Sequence, residues 1–200
     1  MYAWKLPTSL DVNGKEYRIR TDFRVILDIL SAMNDPEIFE PDMTEEEKNQ
    51  ERALTLLQIL YIDFDSMNPR DYEEAMKKGG EFIDCGFKED SKKPRPQLMD
   101  WEKDAPVVIP AINKTIGKDV RSKEYMHWWT FLGAYMEVGE STFSTIVSIR
   151  DKKRRGKKLE KWEEDYYKEH KNMVDLKTKT QERSEAEKEE LRELFGFKKK

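Results

Sequence analysis

The chain has 200 residues, of which 39% are charged and 37% hydrophobic, and its formal net charge is −4. This length suits one domain or one domain with a small appendage, and 11% aromatic residues are too many for a disordered chain. The acidic balance lacks the global basic signature of a nucleic-acid-binding protein, and the single cysteine, Cys85, excludes an intramolecular disulfide and a cysteine-rich metal site.

The first predicted element is a β-hairpin over residues 9–20. The pair Asn13-Gly14 favours a two-residue type I′ turn, because both central positions of this turn need a positive φ. Thr21 or Asp22 can then cap a helix that ends at Asp35-Pro36. The apolar stripe of this helix is formed by Phe23, Ile26, Leu27, Leu30 and Met33.

Two further helices are predicted before residue 87. Thr44 and Glu47 have the spacing of a capping box, and Asn68-Pro69 places an N-cap before a proline at the first helical position. The first of these helices carries Leu54, Leu57, Leu60 and Tyr61 on one face. The second has the stripe Tyr72, Ala75, Met76, Phe82 and Ile83, and Gly79-Gly80 weakens it near its end.

The next predicted helices contain most of the large apolar residues of the second half. Apolar helical material lies between Trp101 and Ile116, is kinked at Pro110 and is capped by Gly117. A helix rich in aromatic residues is then predicted from Ser122 to Gly139. Its spacing predicts a buried core face formed by Tyr125, Trp128, Trp129, Leu132, Tyr135 and Met136, with His127 and Phe131 on the flank. A short helix after Ser141 has Phe143, Ile146, Val147 and Arg150 on a common face.

From Asp151 onward the chain is highly charged. A basic run over residues 150–158 leads into a helix with the stripe Leu159, Trp162 and Tyr166, and the last stretch, 177–200, is predicted to be a solvated or detachable helix. Sparse apolar anchors suit either a solvated face or an arm that binds a partner. The candidate partner-contact residues are Trp162, Tyr166, Tyr167, Leu191 and Phe195, with intramolecular packing an equal alternative for Trp162 and Tyr166.

These elements predict a mostly α-helical fold, a multi-helix globular domain with an N-terminal β-hairpin and a charged C-terminal helical arm. The predicted regions are the hairpin plus three helices (1–86), a proline-broken linker or exposed loop (87–97), a helical part containing the Trp-Trp helix (98–175) and a charged helix or tail (176–200). The N-terminus lacks the basic and apolar regions of a signal peptide, and no apolar run approaches the roughly 20 residues that span a bilayer. We therefore expect a soluble, intracellular protein with no membrane partner.

The residue pattern does not point to catalysis. His127 is the one histidine in an apolar context, and neither it nor Cys85 belongs to a nucleophile motif, so a structural histidine is favoured. The sequence contains no glycine-rich phosphate-binding motif and no set of zinc ligands at suitable spacing. We predict no catalytic, cofactor-binding or metal-binding residues and no cofactor, so the chain is not expected to be an enzyme.

Contact with another macromolecule remains as the predicted activity. Nucleic-acid binding is the alternative function, since the basic run 150–158 could neutralise phosphates and Trp128-Trp129 could stack bases. However, these tryptophans lie on a stripe typical of a buried helix face, and acidic residues follow the basic run. Protein binding is therefore favoured over nucleic-acid binding.

Four segments carry a resemblance to a known family. They are Val12–Arg24, Asp100–Asp104, Met126–Phe131 with its His-Trp-Trp sequence, and Phe143–Arg150 followed by basic residues. Taken together, their order and spacing resemble a family of tail-morphogenesis proteins from phages and prophages of Gram-positive hosts, named after the fifteenth gene product of one such phage. The resemblance covers the chain from about Val12 to about Asp175 and leaves residues 181–200 unmatched.

The resemblance implies a tail assembly chaperone. Such a protein would bind the long, helical tape-measure protein and keep it soluble until the tail tube polymerises around it. Its partners would be the tape-measure protein, with the tail-tube protein and other copies of the chain as further candidates. It would act in the cytoplasm of the host cell and would not be expected in the mature virion.

Overall fold

A computed structural model of the chain describes residues 5–34, 42–86 and 97–176. These residues form an antiparallel hairpin of two strands and eight α-helices, which confirms the predicted mostly α-helical fold with an N-terminal hairpin. The strands are β1 (Ser9–Val12) and β2 (Lys15–Arg18), and the helices are α1 (Phe23–Asn34), α2 (Glu45–Leu60), α3 (Tyr72–Ile83), α4 (Ala105–Ile116), α5 (Trp128–Met136), α6 (Thr142–Arg154), α7 (Lys161–Glu169) and α8 (Lys171–Val174). Within the described ranges, no helix has both the length and the apolar character that crossing a bilayer requires.

The described residues divide into two compact units. The first contains the described residues up to 86 together with Tyr125–Thr130, and the second contains residues 97–124 and the described residues from Phe131 onward. The first unit thus includes a short segment from the predicted helical part 98–175. The predicted tail, residues 176–200, lies outside the described residues except for Leu176.

The hairpin of the first unit forms as the local sequence predicts. Val12 pairs with Lys15, so Asn13 and Gly14 are the two turn residues, with φ of 53° and 83°. These positive values are those of a type I′ turn, which glycine and asparagine adopt most easily. In α1 the deeply buried residues are spaced three apart, and they are Phe23, Ile26, Ile29 and Ala32. The predicted stripe positions Leu27, Leu30 and Met33 are only half-buried.

Close packing joins α2 and α3 in the first unit. The Thr44–Glu47 capping box is present at the start of α2, and the Asn68 side chain accepts a hydrogen bond from the Arg70 N–H in the 3₁₀ turn that precedes α3. The helix α3 continues past Gly79 and Gly80 to Ile83. A Cβ at Gly79 would lie 2.8 Å from Leu56 Cδ2, so the absence of a side chain allows the two helices to approach each other.

The aromatic helix α5 begins at Trp128, six residues later than predicted. The residues directly before it are extended, because their backbone pairs with residues at and just before the start of α1. The Phe23 N–H donates to the Met126 carbonyl, and the Trp128 N–H donates to the Thr21 carbonyl. Tyr125 therefore lies outside the helix and is 56% exposed, so its prediction as a core residue is wrong. Its hydroxyl instead forms a 2.7 Å hydrogen bond with the Thr21 hydroxyl.

The remaining predicted core residues differ in burial. Trp128 is 2% exposed and donates its indole N–H to the Ile83 carbonyl, and Trp129 is half-buried and donates to the Phe82 carbonyl. Leu132 and Tyr135 are also half-buried, whereas the predicted flank residue Phe131 is fully buried. Met136 is 57% exposed, so its prediction as a core residue is wrong. It follows Phe131 by five residues, which places it roughly 140° round the helix from that buried side chain.

The second unit contains α4, α6, α7 and α8. Gly117 ends α4 with a φ of 75°, as predicted, and Ser141 caps α6 by accepting the Ser144 N–H. A small core forms where Ile146 and Ile149 on α6 meet Val174 on α8. The residues that pack against this core are Val107, Leu159, Tyr166 and Tyr167.

Candidate partner-binding site

Trp162 is the most exposed large hydrophobic side chain in the described part of the chain. It lies on α7 and is 59% exposed, and its role as a partner-contact residue stays a prediction. The exposed residues around it on α7 are charged, and they include Lys161, Asp165 and Lys168. A tryptophan in such a position offers a partner a large apolar surface that is surrounded by a polar, solvated rim.

Tyr166 and Tyr167 face inward to a greater extent than Trp162. Both pack against the core of Ile146, Ile149 and Val174, which is the intramolecular alternative left open for Tyr166. The Tyr166 ring also contacts the His170 ring, with the centroids 4.5 Å apart. The Tyr167 hydroxyl donates to Asp175, and the Lys153 ammonium lies 3.5 Å from the centroid of the Tyr167 ring. The candidate contact residues Leu191 and Phe195 lie outside the described residues.

A buried carboxylate holds α7 against α6. Glu163 accepts two 2.7 Å hydrogen bonds from the Lys152 ammonium and one from the Glu160 N–H at the start of α7. Burial disfavours the charged form of Glu163, but the hydrogen bonds from Lys152 and the Glu160 N–H outweigh it and hold its pKa below the ordinary value. The contact between Glu163 and Lys152 turns Glu163 towards α6. Trp162, the preceding residue on α7, therefore lies on a different side of the helix and is exposed.

The basic run 150–158 is largely paired with carboxylates. In addition to the Lys152–Glu163 pair, Lys153 binds Asp175, and Arg154 and Arg155 both bind Asp151. Lys157 and Lys158 are exposed. Because five of its seven basic residues pair with carboxylates, the run has a weaker field for phosphate groups than its sequence indicates.

Arg150 has a different role from the rest of the basic run, because it is buried and uses all five of its N–H donors. Two of them bind the buried Asp104 carboxylate at 2.6 and 2.8 Å. The other three bind the carbonyl oxygens of Leu98, Met173 and Val174. This single guanidinium therefore joins the segment before α4, the start of α4 and the end of α8. The helical periodicity of the sequence predicts the face on which Arg150 lies but not its partners.

The geometry around His127 and Cys85 is that of structural residues. His127 Nδ1 accepts the Trp129 N–H, and its Nε2 donates to the Pro7 carbonyl at 2.9 Å, so both ring nitrogens are occupied. In this arrangement Nε2 is the donor and Nδ1 is the acceptor, and the contact of Nδ1 with the Trp129 N–H caps the start of α5. Burial, helped by the charge of Asp84, raises the pKa of the Cys85 thiol to about 11, so the reactive thiolate is scarce at neutral pH.

Among the residues that the structure describes, no three His, Cys, Asp or Glu side chains come together in a way that could hold a metal ion.

Comparison with known proteins identifies a family. A family model described as "Bacteriophage Gp15 protein" matches residues 3–176, which is most of the chain and ends where the described residues end. This match confirms the resemblance to a phage protein family that the four sequence segments carry. Searches of curated proteins and of solved structures give no match.

Proposed function

Because the chain belongs to the bacteriophage Gp15 family, we propose that it is a tail assembly chaperone of a long-tailed phage or prophage. It binds the tape-measure protein in the host cytoplasm and keeps it soluble until the tail tube polymerises around it. It acts by contact and not by catalysis, and the tail-tube protein and other copies of the chain are further candidate partners. It is released before the virion is complete.

The observation that supports this proposal most directly is the exposure of Trp162 in a member of a phage protein family. A tape-measure protein is long and helical, and its apolar stripes need to be covered before assembly. A tryptophan within a charged face can cover such a stripe, while its charged neighbours keep the complex in solution. Each contact is small, so many copies bind together and each can still be displaced by the growing tube.

The proposal can be tested by expressing the chain together with the tape-measure protein of the same phage. We expect the soluble fraction of the tape-measure protein to rise, and we expect Trp162→Ser to reduce this effect. Met76→Ser is the matched control, since Met76 is also an exposed apolar side chain, at 42%, but lies on α3 in the other unit. Equal solubility with and without the chain contradicts the chaperone function, and equal loss in both variants contradicts the role of Trp162.

The release step needs a separate measurement. We expect mass spectrometry of purified virions to find the tape-measure and tail-tube proteins but not this chain. Recovery of the chain in the same stoichiometric range as a tail component would show that it is a structural part of the tail.

Nucleic-acid binding through residues 150–158 has less support. The ion pairs of Lys152, Lys153, Arg154 and Arg155 leave few basic groups available for phosphates. We expect no salt-sensitive mobility shift of DNA or RNA at physiological ionic strength. A shift that weakens steeply with added salt would instead support the alternative function.

A further inference from the structure

The basic run 150–158 contains two pairs of neighbouring basic residues whose ion pairs lead to different places. Arg154 and Arg155 both bind a carboxylate of the same run. Lys152 and Lys153 instead bind residues of the segment formed by α7 and α8, which we call the α7–α8 segment. One pair is therefore local to the end of α6, whereas the other joins α6 to the next part of the same unit.

Lys152 holds the start of the α7–α8 segment. Its ammonium donates two 2.7 Å hydrogen bonds to the Glu163 carboxylate, which is 2% exposed and also accepts the Glu160 N–H. Separating a buried carboxylate from such a partner is costly, because its charge would be left unpaired in the interior. This contact therefore fixes the rotation of α7 about its own axis as well as its distance from α6.

Lys153 holds the end of the segment. Its ammonium binds the Asp175 carboxylate at 2.7 Å and lies 3.5 Å from the centroid of the Tyr167 ring, and the Tyr167 hydroxyl donates to the same carboxylate. A partly exposed ion pair contributes little when it is isolated, but here the two charges and the ring form one network. Because Tyr167 belongs to α7 and Asp175 follows α8, the network fixes both helices at one point.

The apolar contacts of the segment are less directional than these charged contacts. Val174 is buried in a small core with residues of α6, whereas Tyr166 and Tyr167 pack on this core but are only partly buried. Hydrophobic burial is non-directional, so the core keeps the segment close to α6 but contributes little to the choice of orientation. The charged contacts at the two ends make that choice, and they set the direction in which Trp162 points.

We propose that Lys152 and Lys153 are positioning residues, which clamp the α7–α8 segment to α6 and so hold Trp162 in the orientation that binds the partner. They act through Trp162 and do not touch the partner themselves. A contact residue that is held in its bound orientation before binding loses less conformational entropy on binding, which raises the affinity. The effect on binding rests on the proposed function, because the partner is the tape-measure protein, whereas the clamp itself does not.

Fluorine NMR of the full-length chain tests the clamp. Fluorotryptophan labels all five tryptophans, and Trp162→Phe identifies the Trp162 resonance. We expect one sharp Trp162 resonance in the parent chain and a second or broadened one in Lys153→Met. Arg154→Met is the matched control, because it removes a basic side chain and an ion pair from the same run, where its partner is Asp151. Lys153→Arg should restore the single resonance, since arginine can bind both the carboxylate and the ring.

A second variant tests the start of the segment. Lys152→Met alone would leave the Glu163 carboxylate buried and unpaired, so it is combined with Glu163→Gln, whose amide oxygen can still accept the Glu160 N–H. We expect this double variant to divide or broaden the Trp162 resonance as well. Circular dichroism verifies that each variant retains its helices.

Binding to a soluble helical segment of the tape-measure protein measures the consequence of a loosened clamp. The apparent dissociation constant should rise in inverse proportion to the docked fraction that the Trp162 resonances give. A segment that is docked for about a tenth of the time should therefore bind about tenfold more weakly. Arg154→Met should bind as tightly as the parent chain.

Three results would overturn the inference. A single sharp Trp162 resonance in both clamp variants shows that other contacts hold the α7–α8 segment, and a divided resonance in Arg154→Met shows a general effect of lost charge. Unchanged affinity despite a divided resonance shows that the orientation of Trp162 does not govern binding. If the parent chain does not bind the tape-measure segment, the proposed function is wrong, but the Trp162 resonances still report on the clamp, so the two failures are distinguishable.

Discussion

Two adjacent glycines on α3 should respond in opposite ways to the same substitution. A Cβ at Gly79 would lie 2.8 Å from Leu56 Cδ2 and 2.9 Å from Leu60 Cδ2, both on α2. A Cβ at Gly80 would meet no heavy atom of the described residues within 4 Å. Gly79→Ala therefore forces an overlap with α2, whereas Gly80→Ala adds a methyl group to open space.

The expected magnitudes follow from two opposing effects. Alanine is favoured over glycine within a helix by about 1 kcal/mol, so Gly80→Ala should raise the free energy of unfolding by about that amount. Gly79→Ala gains the same helical preference but overpacks a contact, which costs about 1–3 kcal/mol. Leu56 and Leu60 are both buried, so their methyl groups cannot move into solvent to relieve the overlap. We expect Gly79→Ala to lower the free energy of unfolding by up to about 2 kcal/mol.

Urea denaturation followed by tryptophan fluorescence can measure both changes. Gly80→Ala is the internal control, because it has the same change in composition at the next position of the same helix. Stabilisation of similar size by both substitutions would show that α2 and α3 do not approach closely at Gly79, and the packing argument would then be wrong.

Three further predictions concern buried side chains. Arg150→Met leaves the Asp104 carboxylate buried without its partner and should lower the free energy of unfolding by about 3–5 kcal/mol, as measured by chemical denaturation. Arg121→Met is the control, because it removes an exposed ion pair with Asp119 and should change the free energy of unfolding little. Trp128→Ala should cost about 3–5 kcal/mol through lost burial and a cavity, and unchanged thermal stability with loss of partner binding would contradict its core role. Because the pKa of Glu163 is lowered in the folded chain, its stabilising contribution is complete above the ordinary value of 4.5 and is lost as the pH falls towards the folded value. Glu163→Gln should therefore flatten the decline of the melting temperature on acidification, and an unchanged decline would show that this carboxylate is not responsible.

The elements that could be predicted from the sequence are those set by neighbouring residues. The Asn13-Gly14 turn, the Thr44–Glu47 capping box and the Gly117 cap each depend on a few adjacent positions, and the structure confirms all three. In each of them a side chain or a positive φ satisfies a local backbone requirement, so the pattern is recognisable without tertiary information.

The start of α5 could not be predicted in the same way. The residues from Ser122 to His127 continue the apolar spacing of the helix, but Met126 and Trp128 use their backbone groups to pair with Thr21 and Phe23. This pairing joins positions about a hundred residues apart in sequence, as the 104-residue separation of Asp22 and Met126 shows. A long-range backbone contact overrides the local helical pattern, and Tyr125 is exposed as a result.

The ion pairs of the basic run could not be predicted from the sequence either, for a related reason. A cluster such as residues 150–158 is usually a solvated or phosphate-binding surface, and three of the carboxylates that pair with it, Asp104, Glu163 and Asp175, lie outside the run. Asp104 precedes Arg150 by 46 residues, and Glu163 follows Lys152 by 11. The periodicity of α6 predicts that Arg150 shares a face with Phe143 and Ile146. It does not predict which carboxylate forms an ion pair with the Arg150 guanidinium.

The segments that resemble the family therefore mark structure more than a binding surface. Asp104 at the end of one segment and Arg150 at the end of another form the buried ion pair, and His127 in a third caps α5 through its ring nitrogens. These contacts give Asp104, Arg150 and His127 structural roles. Trp162 lies outside all four segments, although within the residues that the family model matches. Substitutions at Trp162 should accordingly change partner binding while leaving stability close to that of the parent chain, the reverse of the effect expected at Arg150.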